Sequence, residues 1–117
     1  AIAIGQGAVS TGANTAITIG TSSTATADST ISIGHVSNAT GQFSTAIGRG
    51  SRAQSLDNIS IGTQAGNTTG TYGASIIAIG RSANGDPGDT TNYGANSIAI
   101  GLQSRTKGSE SIAMGYN

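Results

Sequence analysis

Branched apolar residues alternate with small ones in one short pattern, Ile-x-Ile-Gly, which returns along the whole chain and closes at Gly5, Gly20, Gly34, Gly48, Gly62, Gly80, Gly101 and Gly115. Successive closing glycines lie 15, 14, 14, 14, 18, 21 and 14 residues apart. Two copies depart from the pattern: Thr45 replaces the first Ile in one, and Met114 the second in the last. Alternation at period two predicts a short strand in each copy, and the Gly that follows predicts a tight corner, because its backbone is free to take a positive φ. A second alternation of small residues follows each corner, at Ala8/Ser10, Ser23/Ala25, Ser37/Ala39, Ser51/Ala53, Ala65/Asn67 and Ser104/Thr106, and reads as a second strand. Gly41, Gly73, Gly94 and Gly108, each seven residues before a closing Gly, predict the second corner.

Two strands and two corners close one coil. A 14-residue unit cannot bury a hydrophobic face alone, so the pattern predicts an all-β fold in which about eight coils stack as a parallel solenoid. Helix competes poorly with so much Gly, Ser, Thr and Ile. Coils spaced by the inter-strand distance give a stack roughly 35 to 40 Å long.

Bulk favours placing each Ile pair inside its coil, facing the small residues of the second strand. The residue between the two Ile positions is then the informative one: Ala3, Thr18, Ser32, Ala46, Ser60, Ala78, Ala99 and Ala113 are never large and never charged. A water-facing position accepts Lys, Gln or Glu readily, so these eight residues are expected to pack against a partner chain, which a coil with so thin a core needs. Small residues are also simply common in this composition. The reverse alternation, with Ile on the assembly axis and Ala inside the coil, fits the same sequence, and sequence alone does not decide between them.

The 117 residues include 19 Gly, no Cys, no Trp and 9% charged residues, with a formal net charge of zero. No basic cluster marks a nucleic-acid or anionic-membrane partner, and no disulfide framework or thiolate metal site is possible. No apolar run is long enough to span a bilayer as a helix. The charges fit the register: Arg49 and Arg81 follow a closing Gly directly, Arg52 and Arg105 come four residues after one, Lys107 six, Asp28 eight, and Asp57 and Glu110 nine. None interrupts Ile-x-Ile. The chain opens inside one motif and stops just past another, as a single domain of residues 1–117 cut from a longer array would.

With Ser-Ile-Ala-Ile-Gly at 97–101, its Met114 version at 111–115, Ser75 to Gly80 with one Ile inserted, and Ala-Ile-Gly at 46–48, the chain resembles the YadA-like heads of trimeric autotransporter adhesins over essentially its whole length. That resemblance implies a left-handed parallel β-roll assembled as a parallel homotrimer. The hand comes from the resemblance alone, since the general preference for right-handed crossovers points the other way. It also implies display on a stalk from the outer membrane of a Gram-negative bacterium, and attachment to host matrix proteins of the collagen, fibronectin or laminin class. Neither a cofactor nor an enzymatic activity is expected.

Two longer corners, at about 67–72 and 84–93, break the repeat after the second strand of neighbouring coils. Both end alike, in Thr71-Tyr72-Gly73-Ala74 and Asn92-Tyr93-Gly94-Ala95. Side-by-side insertions with Tyr make a candidate ligand site of Tyr72 and Tyr93, with Arg81, Asp86 and Asp89 near them. Alternatively each Tyr packs on its own loop. Asp86 and Asp89 are too few for a calcium site, and Asp, Pro and Gly together are what a plain turn needs. His35 has no carboxylate at a matching repeat position and reads as a solvated corner residue. The three glycosylation sequons, at Asn38, Asn58 and Asn67, are what chance yields in so Asn-, Ser- and Thr-rich a chain.

Three other functions compete with the adhesin head. A hexapeptide acyltransferase is also a trimeric solenoid, but a 14-residue period does not divide by six. An ice-binding solenoid needs Thr at one register, whereas Thr here is scattered. A phage tail-fibre or spacer module built from the same repeats shares all of the physics.

Overall fold

The computed structural model describes residues 1–11, 14–66, 73–85 and 93–116. Each Ile-x-Ile copy forms a three-residue strand, and the second alternation forms a two-residue strand in the first four coils, whereas Ser104/Thr106, expected as a strand, runs past the end of the second sheet without strand pairing. In chain order these are β1 (Ile2–Ile4), β2 (Val9–Ser10), β3 (Ile17–Ile19), β4 (Thr24–Ala25), β5 (Ile31–Ile33), β6 (Asn38–Ala39), β7 (Thr45–Ile47), β8 (Arg52–Ala53), β9 (Ile59–Ile61), β10 (Ile77–Ile79), β11 (Ile98–Ile100) and β12 (Ile112–Met114). The three-residue strands pair in parallel as one eight-stranded sheet, β1-β3-β5-β7-β9-β10-β11-β12, opposite a four-stranded sheet, β2-β4-β6-β8. Pairing is strictly in register, so Ile77 stands beside Ile59 and Ile98, and Ala78 beside Ser60 and Ala99. Eight strands enclose about seven full turns. The long axis is 34 Å and the other two 20 Å, as about seven steps of the inter-strand spacing require.

The parity is the reverse of the one that bulk favours. Thr18, Ser32, Ala46, Ala78 and Ala99 are fully buried and Ser60 nearly so, whereas the Ile residues on either side of them are partly or openly exposed. The second strand does point its small residues inward, but Ala25, Ala39 and Ala53 meet the middle residue of the first strand, not the Ile pair. Two strands joined by short corners approach too closely to admit an Ile side chain between them. Ala, Ser and Thr fill the gap, and the strand sends its other parity out.

The expected partner interface at Ala3, Thr18, Ser32, Ala46, Ser60, Ala78, Ala99 and Ala113 is therefore corrected. Six of these residues are sealed inside their own chain. Ala3, which is exposed, and Ala113, which is half-buried, lie on the two outermost strands of the sheet.

The closing glycines take positive φ as expected, at 124 to 134°, and each corner has in addition one left-handed position that does not require glycine. The first corner places Ser22, Val36, Gln64, Ser82 and Gln103 at φ of 54 to 58°, and the second places Ser29, Phe43, Asp57, Ser75, Asn96 and Glu110 at 54 to 59°. The expected role of Gly41, Gly73, Gly94 and Gly108 as the turning residue is thus corrected by two positions. Gly41 is needed because a Cβ there would run into the backbone of Ser55 in the next coil.

The closing glycines are under a double constraint. Gly48 sits at φ +129°, and a Cβ on it would lie 2.5 Å from the carbonyl oxygen of Gly62. Gly48→Ala is expected to destabilise the fold by more than about 3 kcal/mol, through backbone strain together with a forced separation of coils. Gly50→Asn is expected to melt close to the unaltered chain, because its φ of +65° suits Asn and only a Gln64 methylene is near. Thermal unfolding followed by circular dichroism checks the pair.

Candidate interaction surfaces

The interior is polar but largely satisfied. Ser23, Ser37, Ser51 and Ser104 each donate their hydroxyl to the closing glycine three residues earlier, at 2.8 to 3.2 Å, and Ser44 donates to the Ala53 carbonyl at 3.1 Å. Such bonds use up the capacity that burial would otherwise leave costly. They also explain why Ser and Thr alternate with Ala inside the stack. Among the described residues the interior is a ladder filled by small side chains.

The sheet of three-residue strands presents two outward columns. One runs Ile2, Ile17, Ile31, Thr45, Ile59, Ile77, Ile98, Ile112, and the other Ile4, Ile19, Ile33, Ile47, Ile61, Ile79, Ile100, Met114. Exposure ranges from partial in the middle of the stack to 69% at Ile112 and 73% at Met114. A continuous apolar strip of this length on a protein surface marks an interaction site. It is flat, uncharged and unbroken, and only Thr45 interrupts its chemistry.

The two longer corners are accommodated by side chains that replace missing backbone. Asn58 occupies the inward position that Thr30 and Ser44 hold in earlier coils, and its Oδ1 accepts the Ile76 N–H at 2.9 Å. Asn84 does the same on the opposite wall: its Oδ1 accepts the Thr106 N–H and its Nδ2 donates to Thr106 Oγ1, both at 2.8 Å. Both asparagines are buried; the sequence marks Asn58 only as a chance glycosylation sequon and residue 84 only as the start of a longer corner. Aligning the coils would have exposed Asn58, because it is the one amide in a column of Ala, Ser, Thr and Ile. Ile76, the inserted Ile, fills the same column one coil later and packs on Tyr93.

Of the candidate ligand residues, Tyr72, Asp86 and Asp89 lie outside the described residues. Arg81 is exposed at the first corner, directly after β10. Tyr93 is not a surface anchor: it is 2% exposed, and its carbonyl accepts the Gly73 N–H at 3.1 Å. Its ring is spent on closing the long corner over Ile76. The structure does not join Arg81 to Tyr93, which belongs to the opposite corner. Asn84 and Gly85 are buried in the stack as well, so they are coil residues and not loop. His35 is exposed at its corner, as expected. Among the described residues no cluster of His, Asp or Glu could hold a metal ion, and no helix is long and apolar enough to cross a membrane.

Tyr93→Ala tests the structural role. Loss of a buried aromatic ring is expected to cost about 3 to 5 kcal/mol, read as a clear fall in melting temperature. A free surface anchor would leave the melting profile unchanged.

The YadA head domain repeat matches residues 1–16, 15–37, 25–51 and 93–117, together more than half of the chain. Among curated proteins none matches it. The repeat spacing, the parallel solenoid and this match agree, and the chain belongs to the YadA head domain family.

Proposed function

We propose that this chain is the head of a bacterial surface adhesin, working as a parallel homotrimer that attaches to fibrous host matrix proteins of the collagen, fibronectin or laminin class. It is a structural and binding module, displayed from the outer membrane of a Gram-negative cell. Heads of this family are trimeric adhesins, which supports the assembly and the surface location.

The outward Ile columns carry the reading. Burying an Ile side chain contributes roughly 1.5 to 3 kcal/mol, and this coil cannot bury its own. Three copies with their Ile faces on a common axis remove both columns from water and leave the polar second sheet outermost. The Ile residues thereby take the role that sequence reasoning gave to the small residues between them. The outer sheet then offers one Ser-, Thr- and Asn-rich surface three times over. Many weak and nearly equivalent contacts of that kind gain strength through avidity.

Ile61→Asp places a charge in the middle of the proposed axis and is expected to abolish the trimer. Sedimentation velocity over a range of concentrations checks this, because a short head dissociates on dilution. A stable monomer of the unaltered chain at high concentration would overturn the assembly.

Ligand choice is assigned to the segments 67–72 and 86–92, the only ones that break the repeat. Shortening both to the regular corner, with Asn84, Gly85 and Tyr93 kept, is expected to preserve the trimer while changing affinity across a panel of collagen, fibronectin and laminin. Unchanged binding would move recognition to the regular coils, and no binding by the unaltered chain to any of the three would make this a spacer.

A further inference from the structure

Outside the Ile columns, the exposed large apolar side chains in the middle of the stack are, among the described residues, confined to the corners: Val36 at 47%, Phe43 at 52% and Leu56 at 44%. Val36 belongs to the first corner, whereas Phe43 and Leu56 belong to the second. The first corner also holds a shallow surface groove lined by His35, Val36, Arg49, Gly50 and Gln64. Gly50 is what opens it, because Val36 and Gln64 occupy the same position in the coils before and after, and a Cβ at Gly50 would touch only a Gln64 methylene at 3.7 Å.

Charge separates the two edges in the same way. Arg49 and Arg81 leave the first sheet at the first corner, and Asp28, Asp57 and Glu110 enter it at the second. Lys107 comes just before the last second corner and is the one exception nearby.

We propose that the second-corner edge of one protomer, through Phe43, Leu56 and Asp57, seats in the first-corner groove of the next. This rests on the parallel homotrimer proposed above and specifies its seams. In a cyclic assembly about an axis along the stack, each contact is head to tail, so one edge of the Ile face meets the opposite edge of its neighbour. Without any axial shift, Phe43 faces the level of Arg49 and Gly50, and Leu56 and Asp57 face the level of Gln64, one coil further along. Phe43 leads into β7 and Arg49 leaves it, while His35 and Gln64 flank the same level through β5 and β9, and Leu56 and Asp57 lead into β9. Apolar Phe43 meets the gap over Gly50 beside Val36, Leu56 lies next to it one coil along, and the long Arg49 side chain reaches the one coil spacing, about 4.8 Å, to Asp57. An antiparallel pair would instead place arginine edge against arginine edge. Complementary charge therefore fixes direction as well as register.

The chain has no cysteine, so introduced thiols report unambiguously. Val36→Cys and Phe43→Cys combined in one chain, treated with a short bis-maleimide, are expected to give a covalent trimer on denaturing electrophoresis, and each single variant is expected to give none. Arg49→Glu is expected to lower the trimer association constant about tenfold, the size of effect that one exposed ion pair at each of three seams carries. Arg49→Glu combined with Asp57→Arg is expected to restore it. Sedimentation of the unaltered chain separates the outcomes. A trimer whose double cysteine variant does not cross-link, or whose single Val36→Cys variant does, overturns the seam and leaves the homotrimer standing. A failure of the double charge reversal to recover association overturns the pairing of Arg49 with Asp57. An unaltered chain that is monomeric at every concentration overturns seam and trimer together.

Discussion

The distance between the two walls of the coil governs the rest of this molecule. With a two-residue strand facing a three-residue one and short corners at each end, the space between the facing strands holds Ala, Ser and Thr, and larger inward side chains such as Asn58, Ile76 and Asn84 occur where the coils lengthen. Every other regularity follows from that thinness. Seryl hydroxyls inside must return to nearby carbonyls because no water can reach them. The closing glycines must stack backbone on backbone, each too close to the next to carry a Cβ. The paired Ile side chains of the strands, finding no room, go to the outside.

This leaves an unusual division of labour between covalent neighbours and partner chains. In most domains apolar burial is internal and the surface is polar. Here the interior is small and hydrogen-bonded, and the largest apolar resource of the chain lies on one outer face. The single chain is therefore held mainly by parallel ladders and polar satisfaction, and its Ile columns stay outside the coil. In the proposed trimer those columns supply the apolar burial that the coil itself lacks. The outer sheet can vary in sequence without touching the Ile columns.

The two long coils show how such a stack tolerates interruption. An insertion removes backbone donors and acceptors from the ladder at one corner, and side chains must take their place. Asn58 and Asn84 do so because a primary amide offers a donor and an acceptor in the spacing of a peptide group. Ile76 and Tyr93 then close the widened corner with a small apolar contact of their own. The ladder resumes in register immediately afterwards, with Ile98 beside Ile77.

Much of the architecture was legible in the sequence, because it is local and repeated. The spacing of the closing glycines determined the Ile strands, the first corner, the parallel stacking and the length of the solenoid, and the placement of Asp57 and Arg49 at corners followed from the same register, whereas the turning residue of the second corner lay two positions later than expected and Ser104/Thr106 formed no strand. Period two also fixed that Ile and the residue between them face opposite sides. Which side was which could not be read there: alternation is symmetric, and the choice depends on the gap between two walls that are distant in sequence until the coil closes. Tyr93 was misplaced for a related reason, since exposure in a loop depends on what packs beneath it, and Ile76 lies there only once the coils are stacked. Local pattern determined the repeat of this protein, and tertiary approach decided its inside and its outside, because steric volume belongs to pairs of coils and not to any one of them.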